Sequence, residues 1–427
     1  MEPQPTVQPP QHVHAPPGLA ALLRDPRFLS LWGAQIVSQV AGNAALYALT
    51  ILVFSASGQS NAAVSFLFLA FLVPAVVLSP PAGVLVDRVD RRHVLIASNA
   101  VRAVAYGAIV LLPGELSVVL VAVVVAAAAT TLFIPAEAAM IPRVAPPGQL
   151  LAANGLFTFT LQAAFAAGFA LVGPLCVAVA GAPMTIALTA LLYVLATLLC
   201  VPLPAARPAA DEARRSATRE LREGLAVIRH DPHVRRPLVL LAYTASIIGV
   251  IGVVAPAVAV TVLGLTEEEL IVLVLPVAAG LLVGIALLAL LGRRLSRRAL
   301  VLVGLVGLAG GLTALALLEP LGALAGGGTA GALTATIPVA IVIGAAYALV
   351  AASAQTILQE SLDDVLRGRV FAVLNAFVSA ASAVPLLVVG VAADAFGVPV
   401  VIGACALGAY LLLAEGVRAA RQPQPVA

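Results

Sequence analysis

The chain has 427 residues, of which 62% are hydrophobic and only 10% are charged, whereas about 25% charged residues are usual in a soluble domain. With a mean hydropathy of +1.09, this composition excludes an ordinary soluble protein. All 23 basic residues are arginine, which excludes a phosphate-binding lysine and a Schiff-base lysine. The three cysteines stand singly in apolar sequence, which indicates neither a disulfide framework nor a zinc cluster.

Apolar segments dominate the chain, and twelve of them are long enough to cross a bilayer core as helices, which takes about 20 residues. Because the alternating pattern of a membrane barrel is absent, we predict an all-α membrane protein with twelve transmembrane helices. The predicted spans are 28–55, 61–86, 94–113, 116–136, 150–180, 182–201, 238–263, 270–292, 299–318, 333–359, 370–393 and 397–414.

Arginine placement predicts the orientation of these spans. All arginines except Arg102 fall in alternate loops and in the two tails, and the loops on the other side contain none. By the positive-inside rule the arginine side is cytoplasmic, with both termini inside. We therefore expect a multi-pass protein of the cell membrane. The basic charge is a topology signal and implies no nucleic-acid partner.

The chain divides into two related halves. Asp87–Arg92 follows the second span and Arg293–Arg298 follows the eighth, 206 residues later. Asn154 and Asn375 repeat at an offset of 221 residues. These matches predict two pseudo-symmetric six-helix bundles, as in many transporters. The expected organisation is a disordered tail (1–19), an N-terminal bundle (20–202), a linker with an amphipathic helix (203–237), a C-terminal bundle (238–418) and a short tail (419–427).

The loop after the second span reads GVLVDRVDRRHVL from Gly83 to Leu95. It resembles the pattern G-x-L-A-D-R-x-G-R-[KR]-x-x-L of the major facilitator superfamily, with Val86 and Asp90 as departures. The resemblance implies a conformational latch between the halves in the outward-open state. Asp87 would face the start of the eleventh helix, and Arg91 would pair with Glu137. The alternative is that these are solvated charges that serve topology alone. The gating-loop residues are Gly83, Asp87, Arg88, Arg91, Arg92 and Glu137.

Two further segments point to export. Gly168, Gly173 and Pro174 in the fifth span resemble part of the antiporter motif of this superfamily. The stretch from Gln355 to Arg369 is similar to the branch of enterobactin exporters and macrolide-efflux proteins. The resemblance therefore implies a drug or siderophore exporter.

Polar side chains at helical spacing mark a candidate substrate cavity. Four residues of the first span recur every fourth position and form one stripe, which lipid would penalise. Similar residues occur in later spans, and Arg102 is the one charge inside a span. The candidates are Gln35, Gln39, Asn43, Tyr47, Arg102, Asn154, Thr158, Gln162, Tyr243, Gln355, Asn375 and Ser379. Interhelical hydrogen bonding is the alternative for the polar residues. Arg102 could contact an anionic substrate or Glu137, or extend to the headgroups.

These observations predict a secondary active transporter that works by alternating access and exports a small amphiphilic molecule. Proton antiport is one coupling mode, with Glu137 as the best carboxylate, because Asp394 is expected to be an exposed cap. A metabolite uptake carrier and a non-transporting receptor or assembly partner are the alternatives. No enzyme activity is predicted, because no catalytic constellation converges within the spans. We expect a monomer in the lipid bilayer with a small-molecule substrate and neither cofactor nor metal.

Overall fold

The computed structural model describes residues 22–146, 148–206, 232–318, 328–361 and 364–421. The predicted N-terminal tail and residues 207–231 of the predicted linker, which include its amphipathic helix, lie outside the described residues. The described part is all-helical. This confirms the predicted fold class of an all-α membrane protein.

Five helices and a sixth, interrupted one form the N-terminal half. The first five begin next to a polar residue and continue through an apolar run, with Asp25, Ser60 and Asp90 as side-chain N-caps of the first three. The helices are α1 (Pro26–Ala56), α2 (Asn61–Val86), α3 (Arg91–Leu111), α4 (Leu116–Val144), α5 (Leu150–Ala167) and α6 (Gly173–Cys200), with a π-helical turn (Gly168–Val172) between the last two.

The chain reverses direction within α6, at Gly181. Its backbone is non-helical there, with φ 79° and ψ 165°, a conformation that favours glycine. Packing against α1 shows the reversal. Gly168 and Gly173 lie against Asn43 and Tyr47 in turn, so this part runs parallel to α1. Thr189 then bonds to Ala41 and Ser30 bonds to Leu199, so the later part runs antiparallel. The fifth and sixth predicted spans therefore meet at residue 181, as the sequence indicated.

The described residues of the C-terminal half form six helices, and short irregular helices join the first two. Thr266 and Glu269 form a capping box that starts a 3₁₀ turn (Glu267–Leu270). The hydrogen bonds from Thr266 hold the pKa of Glu269 below its usual value. The helices are α7 (Pro232–Ala257, continued by a π-helical turn, Val258–Val262), α8 (Ile271–Leu291), α9 (Arg297–Ala316), α10 (Gly328–Glu360), α11 (Asp364–Phe396) and α12 (Val398–Arg421).

Ten helical stretches among the described residues are long and apolar enough to cross a membrane. One of them, Leu150–Cys200, is 51 residues long. It crosses twice, because it reverses at Gly181. The apolar part of α11, Ala381–Phe396, is shorter. Together these stretches account for the twelve predicted spans.

Successive spans of the N-terminal half run in opposite directions, so the arginine-bearing loop after α2 lies at the same end as the start of α1. A buried cluster there joins the starts of α1, α3 and α5 to the ends of α2, α4 and α6, through residues such as Phe28, Val86, Leu95, Val144 and Cys200. We call this side of the molecule the arginine-rich end and the other side the opposite end. That the arginine-rich end is cytoplasmic remains a prediction.

The two halves contact each other at the opposite end. Gly390 of α11 lies so close to the start of α2 that a β-carbon there would be 2.7 Å from the Cα of Ala62. Gly252 of α7 faces the ring of Phe68 in the same way. Small residues allow this close approach of helices from different halves.

Candidate functional site

A cavity of about 140 Å³ lies between the two halves. Helices α1, α2 and α5 line it from the N-terminal half, and α7, α8 and α10 line it from the C-terminal half. Five aromatic side chains contribute to a wall that is otherwise almost entirely aliphatic. They are Tyr47, Phe68, Phe165, Phe169 and Tyr347.

Few polar groups reach this cavity. The hydroxyl of Thr50 donates to the carbonyl of Leu46 in its own helix, at 2.7 Å. The hydroxyl of Tyr47 is buried and has no hydrogen-bond partner among the described residues. The Tyr47 ring is held edge-on to Phe169, with 5.8 Å between ring centroids. A buried unpaired hydroxyl costs free energy, which makes Tyr47 a candidate for hydrogen bonding to a bound molecule.

The predicted antiporter-like motif packs directly against the polar stripe of α1. A β-carbon at Gly168 would lie 2.7 Å from the Cβ of Asn43, and one at Gly173 would lie 3.0 Å from the Cβ of Tyr47. Pro174 is buried next to them. The antiporter-like motif and the polar stripe of α1 therefore contact each other directly. This contact brings the backbone of the fifth span close to α1 beside the cavity.

The rest of the α1 stripe hydrogen-bonds within the N-terminal half. Gln35 is buried, and its amide donates to the carbonyl of Phe157 in α5 at 3.2 Å. The amide of Asn43 donates to the carbonyl of Gln39 at 2.8 Å. Tyr47 is the member of the stripe that lines the cavity between the halves.

The other polar candidates are dispersed over the structure. Asn154 and Thr158 are exposed near the arginine-rich start of α5, and Gln355 is half-buried in α10. The hydroxyl of Tyr243 donates to the carbonyl of Cys405 at 2.6 Å, which joins α7 to α12 inside the C-terminal half. The side chains of Gln162, Asn375 and Ser379 lie outside the described part.

Arg102 is buried inside the N-terminal half. Its guanidinium carbon lies 4.5 Å from the centre of the Phe133 ring and 4.8 Å from that of Tyr193. It also donates to the Asn99 side chain at 2.8 Å and to the Ser98 carbonyl at 3.2 Å. Cation–π contacts and hydrogen bonds therefore compensate for the burial of this charge.

Glu137 lies in the same interior, on the last turns of α4. The helix continues to Val144, beyond the predicted end of the span at 136, so Glu137 is a helical residue with 7% of its surface exposed. Its Oε1 has no hydrogen-bond partner among the described residues. Arg102 is one charged residue that acts electrostatically on it. A buried carboxylate oxygen without a partner is a costly arrangement that favours a functional role.

The predicted gating loop ties the helices of the N-terminal bundle together at the arginine-rich end. Asp90 takes an extended conformation and caps α3 by accepting from the backbone of Arg92 at 3.0 Å. It also accepts from the backbone of Ala206 at 3.1 Å. The turn at this departure from the family pattern therefore needs no glycine. Within the motif, Gly83 is half-buried at the end of α2.

The latch charges themselves differ in exposure. Asp87 and Arg88 are exposed at the end of α2, and Arg91 is buried. The guanidinium of Arg92 donates to the carbonyl of Val201. The side chains at the start of α11, which Asp87 is predicted to face, lie outside the described residues, so the latch remains a prediction.

A contact between the two halves that the sequence did not predict lies at the opposite end. The carboxylate of Asp394, near the end of α11, accepts four hydrogen bonds from the start of α2. The donors are the Ser60 hydroxyl and the Asn61 backbone and side chain at 2.9 Å, and the Ala62 backbone at 3.0 Å. Asp394 is exposed, as expected for a cap, but the helix it caps belongs to the other half. The sequence predicts that Asp394 lies at a helix end, but it does not predict that the start of α2 is its hydrogen-bond partner.

The sequence model of the Major Facilitator Superfamily matches residues 31–385. The chain belongs to this superfamily. Among curated proteins, macrolide efflux protein A of Streptococcus pyogenes is 24% identical over 378 residues, which is 87% of this chain and 90% of that protein. The transporter is therefore a distant relative of an efflux protein over almost its whole length.

Solved structures of the superfamily share this fold. A bacterial homologue of the human lysosomal transporter Spinster, in an inward-facing and occupied conformation, matches with a TM-score of 0.73 and 14% identity, over 94% of this chain and 99% of that one. A mutant of the nucleoside transporter NupG matches with a TM-score of 0.72 and 11% identity, over 91% and 98%. A mutant of the peptide transporter POT matches with a TM-score of 0.68 and 14% identity, over 92% and 93%.

Proposed function

We propose that this transporter exports small amphiphilic molecules by alternating access, with the cavity between the halves as the substrate site. The observation that carries the proposal is the wall of that cavity. It is aromatic and aliphatic, and the buried hydroxyl of Tyr47 is left unpaired by the described residues. Sites for drug-like ligands have this chemistry, with a few polar groups that orient the ligand.

The cavity wall also favours one class of substrate over others. Five aromatic rings offer faces and edges for ring-bearing or lipophilic molecules. A strongly charged substrate would lose its hydration there without gaining an opposite charge. In the described structure Arg102 faces Phe133 and Tyr193 inside the N-terminal half, which weighs against an anion contact in the cavity and therefore against the alternative of a metabolite anion carrier.

Alternating access is supported by the contacts between the halves. Asp394 and Gly390 hold α11 against α2 at the opposite end. The cavity of about 140 Å³ is smaller than the roughly 300–1,000 Å³ of drug-sized pockets. Substrate entry would therefore require the halves to separate, and rocking about the central site is the motion that this fold uses.

Export is the proposed direction because the curated relative is an efflux protein and because the fifth span carries the antiporter-like glycines against α1. Uptake is the second candidate. The structural likeness to nucleoside and peptide transporters favours it only at the level of the fold.

We further propose that export is coupled to proton entry through Glu137. This carboxylate is buried, has an oxygen that no described residue pairs with, and lies under the electrostatic influence of Arg102. A proton could neutralise it in one conformation and leave it in the other, which would link protonation to the rocking of the halves.

Transport in oriented membrane vesicles tests the proposed function. Inverted and right-side-out vesicles are incubated with a panel of amphiphilic dyes and macrolides, with and without an agent that collapses the pH gradient. Accumulation in inverted vesicles that requires the gradient is expected. Accumulation only in right-side-out vesicles would favour uptake, and accumulation that ignores the gradient would remove proton coupling.

A further inference from the structure

A second cavity, of about 160 Å³, opens at the arginine-rich end of the C-terminal half. It lies between α7, α9, α10 and α12, away from the substrate cavity. Its floor is apolar and includes Leu305, Ile357 and Leu412. Its mouth carries the charged residues Arg235, Arg236, Arg298 and Glu415. We call this feature the basic groove.

The mouth of the basic groove has an excess of positive charge. Arg236 lies 4.0 Å from Glu415, and both side chains are at least half exposed. Arg235 and Arg298 form no ion pair with any residue that the structure describes. Beside the groove, Arg297 pairs with Glu360 at 3.6 Å and is therefore less available. Within the described structure, two guanidinium groups thus remain free to bind an anion.

The N-terminal half binds the matching arginine to its own backbone. Arg92 is the counterpart of Arg298 at the offset of 206 residues, and its guanidinium donates to the carbonyl of Val201. Ser30 of α1 bonds to Leu199 of α6 next to it. In the C-terminal half the matching arginine faces a groove that stays open. The two matching arginines therefore differ in their surroundings, since Arg92 is bonded within its own half and Arg298 lines the groove.

We propose that the basic groove binds an anionic phospholipid of the leaflet at the arginine-rich end. An acyl chain would lie on the apolar floor and the phosphate would lie between Arg235 and Arg298. Basic pockets between membrane helices bind anionic headgroups in this way, and the planar guanidinium matches phosphate oxygens with paired hydrogen bonds. The apolar floor beneath the charged mouth favours a lipid over a soluble anion, because only the lipid has an acyl chain to cover it.

The test measures lipid binding to the full-length protein in detergent by native mass spectrometry and by thermal stabilisation. The probes are phosphatidylglycerol and phosphatidylcholine with identical acyl chains, and inorganic phosphate. Wild type is expected to prefer phosphatidylglycerol. The double variant Arg235→Gln and Arg298→Gln is expected to bind phosphatidylglycerol roughly thirtyfold more weakly, because each arginine near an anionic headgroup contributes about 1 kcal/mol.

The matched control is the double variant Arg293→Gln and Arg294→Gln. It removes the same charge from exposed positions at the same end, outside the groove. The control is expected to keep the preference for phosphatidylglycerol. Equal loss in both double variants, or equal binding of the two lipids to wild type, would overturn the proposal. Saturation of the same stabilisation by inorganic phosphate alone would assign the site to free phosphate and would also overturn it.

Discussion

The carboxylate of Asp394 in α11 accepts hydrogen bonds from both the backbone and the side chain of Asn61 in α2, each at 2.9 Å. The two residues are 333 positions apart and belong to different halves of the transporter. A carboxylate at a helix N-terminus satisfies backbone N–H groups that the helix itself leaves unpaired. This contact therefore favours the conformation in which the halves meet at the opposite end.

Replacing Asp394→Ala is expected to shift the population toward the conformation that is open at the opposite end. Loss of a charged cap costs about 1–2 kcal/mol, which is roughly a fivefold to thirtyfold change in population. The shift is measured by double electron–electron resonance between spin labels at positions Ala56 and Val400, in a variant without the native cysteines.

Asp25→Ala provides the control for this prediction. Asp25 caps α1 by accepting from the backbones of Arg27 and Phe28, within one half. Its loss should lower thermal stability by a similar amount without moving the distance between the labels. A shift in both variants would mean that the change reflects general destabilisation and not the contact between the halves.

Gly168→Ala is expected to destabilise the transporter by about 1–3 kcal/mol, the usual cost of overpacking. A β-carbon there would lie 2.7 Å from both the Asn43 Cβ and the Val40 carbonyl oxygen. Gly155→Ala, in the same span, is the control, because nothing lies within 4 Å of its β-carbon. Thermal unfolding in detergent measures both. Equal unfolding temperatures in the two variants would contradict the close packing of the fifth span on α1.

Tyr47→Phe is expected to raise the KM for transported molecules that carry a hydrogen-bond acceptor, by about twofold to tenfold, since one net hydrogen bond contributes about 0.5–1.5 kcal/mol. Stability should not fall, because no described residue pairs with the hydroxyl. Tyr410→Phe, at an exposed position outside the cavity, should leave KM unchanged. KM is measured from initial rates over a range of substrate concentrations. An unchanged KM for Tyr47→Phe would show that the hydroxyl does not bind the substrate.

Glu137→Gln is expected to abolish the dependence of export on the pH gradient, because an amide cannot exchange the proton. Movement of substrate down its own gradient should persist. The measurement compares gradient-driven and gradient-free transport in inverted vesicles. Glu115→Gln, at the opposite end with no side-chain hydrogen bond to its helix, is the control. Gradient-driven accumulation in Glu137→Gln would exclude Glu137 as the sole proton carrier.

The membrane helices and their breaks were predictable because hydropathy and glycine act locally. The break predicted between residues 180 and 182 coincides with Gly181, where the backbone leaves the helix. The neighbours of Arg102 and Asp394 were not predictable, since they depend on which helices pack together. Helical spacing places Arg102 in a span, but only the packing of α3 on α4 and α6 puts it over Phe133 and Tyr193. The open groove in one half also follows from packing.

The most direct measurement of the proposed export route is dye accumulation in energised inverted vesicles that contain wild type, Ala278→Phe or Ala279→Phe. Ala278 lines the cavity between the halves, whereas its neighbour Ala279 is exposed on α8 and outside the cavity. Wild type and Ala279→Phe are predicted to accumulate the dye, and Ala278→Phe is predicted to lose accumulation because the ring fills the cavity. Full accumulation in folded Ala278→Phe would contradict a substrate path through this cavity.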